Sequence, residues 1–538
     1  MDDAAKVMKS PRDVVGWLFD SGDGTRYRLI ARWIFLRSLA AIYFSAFFSL
    51  VFQIKGLIGP NGILPARQYL SAIERAVEGA QRFWYAPSLF WISSSSAMLM
   101  VVTWLGLAAS VLAFFNLWPR LNFFVCFVCF LSFVSSASDF ASYQSDGMLL
   151  EAGFIVLFFA PPGVLPGWGA SHPPSRASLI LLLWEWFRIY FESGMVKLLS
   201  GDLQWRHFTA MDDYYQNLPL PSWPGWYVGH LPHWFHAAAT GGTLLMEFCV
   251  VLLMFFPRRA RVVCFLIVTP WEIVVILTGN YAFLNYIVLC LGVLLLDDTT
   301  LSRVIPRRFR PEAVGVTDDG TAVAASSRSR APQLKIFSVA VSAVLLTWIA
   351  YATTIELVGM IIRPVAFFEA PVIALEPFRI ANQYGLFAVM TRGRYEIEFQ
   401  RSNDNQNWTP YLFRYKPQAL DERPGVYSPY QPRFEWNLWF ASLGNWEQNQ
   451  IVPFTEARLL VQDVDVLNLF RGNPFPQSPP RYVRAVLWQY WFTSMEEKHR
   501  TGNWWRRSLM GQYAPTLSRN TDGQIIAVQP SDELPPHN

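Results

Sequence analysis

Between Ile30 and Val358 the chain returns nine times to an apolar run close to the length of a bilayer crossing. A helix needs roughly 20 mostly apolar residues to traverse the hydrocarbon layer. No water there satisfies an exposed backbone, so such runs must be helical. They are Ile30–Ile54, Pro87–Phe115, Leu121–Ser138, Gly147–Leu165, Leu179–Leu199, His233–Phe256, Val262–Thr278, Tyr281–Leu296 and Leu334–Val358. Composition agrees: 52% of the 538 residues are hydrophobic and 16% charged, too apolar for a soluble chain of this length. The 23 Trp and 42 Phe fit as well, because aromatic rings favour bilayer interfaces. A net charge of +4 without a basic tract gives no nucleic-acid surface, so no nucleic-acid partner is expected.

The fold class expected is therefore a polytopic α-helical membrane protein of about nine spans, with a C-terminal soluble β-rich α+β domain. Loop charges orient it. With the N-terminus inside, inner loops carry Arg120, Arg176, Arg258, Arg259, Arg261 and a run of arginines from Arg303 to Arg330. The outer loops around Asp139 and Asn280 carry neither Lys nor Arg, although the loop after the first run holds Lys55, Arg67, Arg75 and Arg82. The balance places the N-terminus inside and the C-terminus outside. No apolar stretch follows the first charges, so the first span directs insertion. The organisation predicted is a cytoplasmic tail at 1–29 and a bundle at 30–363, including a cytoplasmic linker at 297–333. An extracytoplasmic domain follows at 364–519, and a disordered tail at 520–538. In that domain Tyr395–Gln400 alternates like a half-buried strand, Ser402–Asn407 supplies a turn, and Tyr411–Tyr415 reads as the hairpin partner. Val483–Thr493 reads as a helix.

Ionisable residues inside the apolar runs are the candidate polar sites. Leu179–Leu199 holds Glu185, Arg188, Glu192 and Lys197. Each such charge at the membrane centre costs about 2.5–3.5 kcal/mol even on the gentlest scale, so they face protein or a wet cavity. Glu185, Arg188 and Glu192 share one helical face; Lys197 stands off it. Arg32, Arg37, Glu151, Glu247 and Glu272 lie in other runs, and Arg37 and Arg188 are the natural partners for the three acids. The plain interpretation is structural pairing; the sharper one is a polar cavity among the first, fourth, fifth, sixth and seventh spans. All five cysteines fall in apolar runs, so Cys126-Phe-Val-Cys129 reads as packing thiols. His230, His233 and His236 cluster, but Pro232 disturbs their spacing and no Cys or carboxylate completes a zinc set. Neither metal nor cofactor is expected. Asn407-Trp-Thr409 matches a glycosylation sequon.

Longer stretches carry a resemblance. Gln431-Pro-Arg-Phe-Glu-Trp-Asn-Leu-Trp-Phe-Ala-Ser-Leu-Gly444 and Pro377-Phe-Arg-Ile-Ala-Asn-Gln-Tyr-Gly-Leu-Phe387 closely resemble signatures of the lipase maturation factor family. So do Gly56–Pro65, Ser145-Asp-Gly-Met-Leu-Leu-Glu-Ala-Gly153, Asn473–Pro476 and Gly502-Asn-Trp-Trp-Arg-Arg507. The resemblance runs from about Tyr27 to Ser518. It implies a membrane protein of the endoplasmic reticulum needed for secreted lipases to fold and assemble, with the C-terminal domain in the lumen. The last residues carry no retrieval signal, so a bacterial inner membrane fits as well. It also implies that the C-terminal domain meets the client, a lipase or other secreted protein, with membrane lipid as the other partner. Candidate client contacts are Trp436, Trp439, Trp446, Trp504 and Trp505. A shorter stretch, Gly194-Met-Val-Lys-Leu-Leu-Ser-Gly-Asp-Leu-Gln-Trp205, is similar to vitamin K-dependent γ-carboxylases. That second resemblance covers this patch alone. It implies the alternative function: a membrane enzyme acting on a lipid or quinone-type substrate with Lys197 as catalytic base.

Overall fold

The computed structural model describes residues 11–19, 27–141, 143–306, 310, 332–362, 365–474, 476, 478–535 and 537. The start of the expected N-terminal tail, the centre of the expected linker and the expected domain boundary at 363–364 lie outside these residues. Helices stand at all nine apolar runs. They are α1 (Leu29–Ile58), α2 (Ser96–Phe114), α3 (Pro119–Val134), α4 (Gln144–Phe159), α5 (Arg176–Leu199), α6 (His233–Leu245), α7 (Arg258–Thr278), α8 (Leu284–Gly292) and α9 (Pro332–Gly359).

Five helices are long and apolar enough to cross a membrane: α1, α2, α6 with its continuation to Phe255, α7, and Phe337–Gly359 of α9. Of the rest, α3 and α8 are apolar but shorter, α4 runs from Gln144 to Phe159 only, and α5 has the length but carries its four ionisable groups. The helices are apolar on every side because lipid and protein core ask for the same chemistry. Polarity therefore does not set their orientation in the bundle; shape and buried charge do. Helix α1 is the central post, with Phe35, Leu39, Tyr43, Phe47, Leu50 and Leu57 all buried.

The C-terminal domain is a five-stranded antiparallel sheet in the order β2-β1-β3-β4-β5. Its strands are β1 (Arg394–Ser402), β2 (Thr409–Pro410), β3 (Tyr482–Phe492), β4 (Trp505–Arg519) and β5 (Ile525–Gln529). The helices α10 (Arg433–Ala441) and α11 (Ile451–Leu460) pack against it.

Three local expectations are corrected here. The alternation in β1 is real, but all nine of its residues are buried. Ile397 and Phe399 face a ring cluster of Phe413, Phe434 and Phe470. On the opposite face Glu396 pairs with Lys416 at 2.8 Å, and Glu398 meets Gln418 at 3.1 Å and Arg507 at 3.2 Å. Both faces are covered, so alternation marks two buried environments instead of core and water. The hairpin partner is only Thr409–Pro410, after which Tyr411 donates once to the Phe399 carbonyl at 2.9 Å and the chain leaves the sheet. Val483–Thr493 is not a helix. It is strand β3, paired along its length with β1 and β4, because β-branched and aromatic residues such as Val483, Val486, Tyr490 and Trp491 suit a pleated surface once partners flank it.

The expected disorder from 520 onward also gives way to structure. Residues Ile525–Gln529 form β5 on the edge of β4. Beyond it the Asp532 carboxylate accepts from the Gln512 amide at 2.7 Å, and Ser531 accepts from the Trp446 indole at 3.1 Å. Backbone pairing to a waiting strand edge holds a segment too polar to hold itself.

Candidate functional site

The charged stripe of α5 is where bundle and sheet domain are joined. Ser175 caps the helix by accepting from the Ser178 amide, and three turns on Arg188 reaches across to α4. Its guanidinium donates to Glu151 and, at 2.5 Å, to the carbonyl of Asn382; Glu192 lies 3.9 Å away. Glu151 then accepts from the Asn382 amide and side chain, both at 3.1 Å, and from the Tyr384 hydroxyl at 2.9 Å. Glu192 accepts from the Tyr384 amide at 2.6 Å. Further along, Gln144 and Ser193 take the amides of Gly385 and Leu386 at 3.0 and 3.2 Å. Asp202, capping the next short helix, takes that of Met390 at 2.8 Å. The irregular segment Asn382–Met390 is thus threaded along α5, its backbone held by side chains of the bundle. A charge-assisted hydrogen bond to a backbone amide is among the stronger polar contacts.

A second join stands at the start of α4. Arg433, the first residue of α10, makes a two-pronged pair with Asp146, both prongs 2.7 Å, and donates to the Phe140 carbonyl at 2.8 Å. Both side chains are fully buried, and the guanidinium lies over the Phe133 ring at 4.8 Å. Asn280, between α7 and α8, accepts from the Tyr427 amide at 2.6 Å and donates to the Gly425 carbonyl at 3.0 Å. Gln53 of α1 donates to the Gln431 carbonyl at 2.9 Å. Arg394 at the start of β1 donates to the carbonyls of Gln216, Leu218 and Pro219 and pairs with Glu396.

The remaining expected residues fall into separate places. Lys197 pairs with Glu247 at 2.5 Å and lies 5.1 Å from the Trp205 ring. A π-helical turn, Met246–Val250, continues α6 and turns Glu247 toward it. Glu272 accepts from Tyr190 at 2.6 Å and Asn285 at 2.7 Å. Glu185 is buried beside Arg188 and Glu151, and its oxygens accept no hydrogen bond; the Ala152 amide lies near without reaching bonding geometry. Arg37 is not a partner to any of the acids. It stacks on the Trp33 ring at 4.4 Å and donates to the Trp33 carbonyl at 3.4 Å. Arg32 is spent on the carbonyls of Trp168, Gly169 and His172. Glu151, Glu192, Glu247 and Glu272 each have hydrogen-bond donors of their own; the gap beside Tyr190 and Glu272 is about 10 Å³, water-sized at most.

None of the five expected client-contact tryptophans is exposed. Trp436, Trp504 and Trp505 are buried, while Trp439 and Trp446 are half-buried. Trp436 packs edge-on to Tyr143, Trp439 donates to the Asn217 carbonyl at 3.1 Å, and Trp504 and Trp505 enclose a small core with Trp226 and Tyr490. Large rings fill the seams of the domain because they bury the most area per residue. The five cysteines are free, and four are buried. His230 sits between the carbonyls of Trp226 and Thr493, His233 meets Asp212, and His236 lies against the Tyr215 ring. Among the described residues no group of three His, Cys, Asp or Glu is placed to hold a metal.

Residue-level reasoning did not find Asp146, Asn382, Tyr384, Asn280 or Arg433 as joining residues. The available signal was the motifs themselves. Asp146 and Glu151 lie in Ser145–Gly153, Asn382 and Tyr384 in Pro377–Phe387, and Arg433 in Gln431–Gly444. Those stretches are halves of the same contacts.

Comparison with known proteins agrees with this division. Residues 30–303 match the model of the lipase maturation factor transmembrane domain, and residues 380–515 that of the lipase maturation factor C-terminal domain. Lipase maturation factor 1 of Bos taurus is 30% identical over 509 residues, covering 91% of this chain and 89% of that protein. Lipase maturation factor 2 of Gallus gallus is 30% identical over 602 residues, covering 94% and 84%. The human lipase maturation factor 1 is 29% identical over 511 residues, covering 91% and 88%. No solved structure matches the chain. With both halves matched, and with the motifs that carry the likeness forming the contacts between them, the chain belongs to the lipase maturation factor family.

Proposed function

We propose that this protein is a membrane-embedded maturation factor that assists the folding and assembly of secreted lipases or related secreted clients. The nine helices form the membrane-embedded bundle, its five long apolar helices crossing the bilayer, and the C-terminal domain stands on the extracytoplasmic side. That side is the lumen of the endoplasmic reticulum in a eukaryote and the periplasm in a bacterium. The observation that carries this is full-length likeness across both domains to proteins named for lipase maturation. Loop arginines support the orientation. The domain junction supports a fixed platform: many backbone groups of 382–390 are held by bundle side chains. The client then meets exposed apolar side chains of that platform, such as Phe440 and Leu509, in the manner of surfaces that bind unfolded chains.

The test is rescue. Cells lacking their own lipase maturation factor, given this chain, should secrete active lipase above the empty-vector level. A correctly inserted, abundant protein that leaves secreted lipase activity at that level sinks the proposal. One observation favours the second function, base chemistry at Lys197: the π-helical turn that aims Glu247 at it, a distortion frequent at functional sites. Lys197→Met separates the two. Chemistry predicts loss of activity with the melting temperature kept; a structural pin predicts that both fall.

A further inference from the structure

A cleft of about 620 Å³ opens where the last turns of α1 meet the C-terminal domain, a size typical of small-molecule sites. One wall is apolar and belongs to α1. Phe48 and Phe52 line it, and Phe44 continues the row one turn outside the cleft; the ring centroids are 5.8 and 5.1 Å apart along the row, and all three rings are exposed. At a rise of 1.5 Å per residue, Leu29 to Phe48 already covers roughly 30 Å, the thickness of the hydrocarbon layer. If α1 spans from its N-terminus, Phe52 and Lys55 lie at headgroup level.

The rest of the lining is polar. Lys55, on α1 itself, has a side chain that forms no hydrogen bond or ion pair among the described residues. Among the described residues the Arg414 guanidinium donates to the Asn468 carbonyl alone, at 3.2 Å. Two carboxylates face the same space. Glu435 is spent on the backbone amides of Arg414, Tyr415 and Lys416, at 2.8, 2.8 and 2.6 Å. The Asp465 carboxylate makes no such contact. Tyr415 and Tyr430 stand beside them, ring centroids 5.3 Å apart. The walls are held at a set distance, because a Cβ at Gly56 would sit 2.5 Å from the Asp465 carbonyl oxygen.

We propose that this cleft binds a zwitterionic phospholipid. Lys55 and Arg414 hold the phosphate, Asp465 and the two tyrosine rings hold the ammonium group, and an acyl chain lies along Phe44, Phe48 and Phe52. Free cations and a free carboxylate in one cleft match a zwitterion better than an anion, and aromatic faces add attraction for an ammonium group. The proposal rests on α1 being a membrane span and not on any lipase client, so it survives failure of the rescue experiment.

The test uses the full chain, purified in detergent and stripped of lipid. Native mass spectrometry follows the binding of phosphatidylethanolamine and phosphatidylglycerol with identical acyl chains. Wild type should prefer phosphatidylethanolamine. Lys55→Ala with Arg414→Ala should weaken that binding at least about tenfold, the scale of one lost hydrogen bond to a charged group. Asp465→Asn should remove the preference between the lipids. Equal affinity of wild type for both lipids, or unchanged binding by a monodisperse double variant, overturns the proposal. Should the double variant fail to fold, wild type decides with a phosphatidylethanolamine carrying a photoreactive acyl chain. Crosslinks should map to residues 44–56 of α1, and crosslinks confined elsewhere overturn it. Loss of the crosslink to a phosphate-free amphipathic peptide, with no loss to excess phosphatidylethanolamine, would make the cleft a peptide groove and overturn it too.

Discussion

Arg433 and Asp146 show what a buried ion pair does at a domain junction. Each alone is a charge sealed from water; together they are neutral, and with the Phe140 carbonyl both terminal nitrogens of Arg433 are bonded. Removing one partner of such a pair typically destabilises by about 3–5 kcal/mol, while replacing both with apolar groups is often neutral. Arg433→Met should therefore lower the melting temperature in detergent sharply, and adding Asp146→Leu should restore most of the loss. A double variant as unstable as the single would show that the pair is not the cause. Two acids of the sheet domain give a pH dependence. Burial pushes the Glu456 carboxyl well above its usual 4.5, by more than the nearby Ala485 amide offsets. Burial lifts Glu435 to about 7 despite three amides that favour its anion. In both cases the folded state binds more protons than the unfolded state above pH 4.5, so stability falls as pH rises through that range. Glu456→Gln should raise the melting temperature at pH 8 and leave it nearly unchanged at pH 4.5. A variant whose pH profile parallels that of wild type would remove Glu456 from this account.

At the scale of elements, helix contacts in the bundle depend on small residues at close approaches. Helix α4 meets α1 at Gly153, where a Cβ would lie 1.9 Å from the Tyr43 hydroxyl oxygen. That hydroxyl donates to the Leu149 carbonyl at 3.0 Å, so it has no free direction in which to retreat. Gly153→Ala should destabilise by about 1–3 kcal/mol, the usual range for overpacking. Gly242→Ala in α6 is the control. Its Cβ would meet nothing closer than the Trp271 ring at 3.5 Å, and alanine favours helix by up to about 1 kcal/mol. Melting of the two variants side by side checks both; equal losses would place the cost in helix geometry and not in the Tyr43 contact. The positions of the nine helices were legible from apolar run length, because run length is what lipid and core both demand. The identity of β3 was not. Val483–Thr493 has no helix breaker and no clean alternation, and its pairing with β1 lies far away in sequence.

At the scale of the whole molecule the two domains are fastened too closely to be treated as separable parts. Removing residues 364–538 would strip Asp146 of Arg433 and take from Glu151 and Glu192 the donors of Asn382 and Tyr384, leaving them Arg188 alone, so a truncated chain tests folding before it tests function. Topology can be checked without truncation. Asn407 is exposed at a turn, its side chain donating to Asp404 at 2.7 Å. Expressed in a eukaryotic secretory system, the full chain should gain one endoglycosidase-sensitive glycan that Asn407→Gln abolishes. An inserted protein never modified at Asn407, while a sequon engineered into the loop at 303–310 is modified, would place the C-terminal domain on the cytoplasmic side.

The sequence by itself determined that this chain carries a helical membrane bundle followed by a more polar domain, and its motifs determined the family. Both are properties of composition, run length and local pattern. The tertiary structure alone decided which charge meets which. Arg188 answers Glu151 and the Asn382 carbonyl, Lys197 answers Glu247, and Arg37 answers none of the acids. It also buried three of the five tryptophans and left Trp439 and Trp446 half-buried. The physical reason is that a buried charge is satisfied by whatever folds against it, here a backbone amide for Glu192 and a backbone carbonyl for Arg188, both more than 190 residues away. Periodicity along one helix records that a polar face is buried, not what it is buried against.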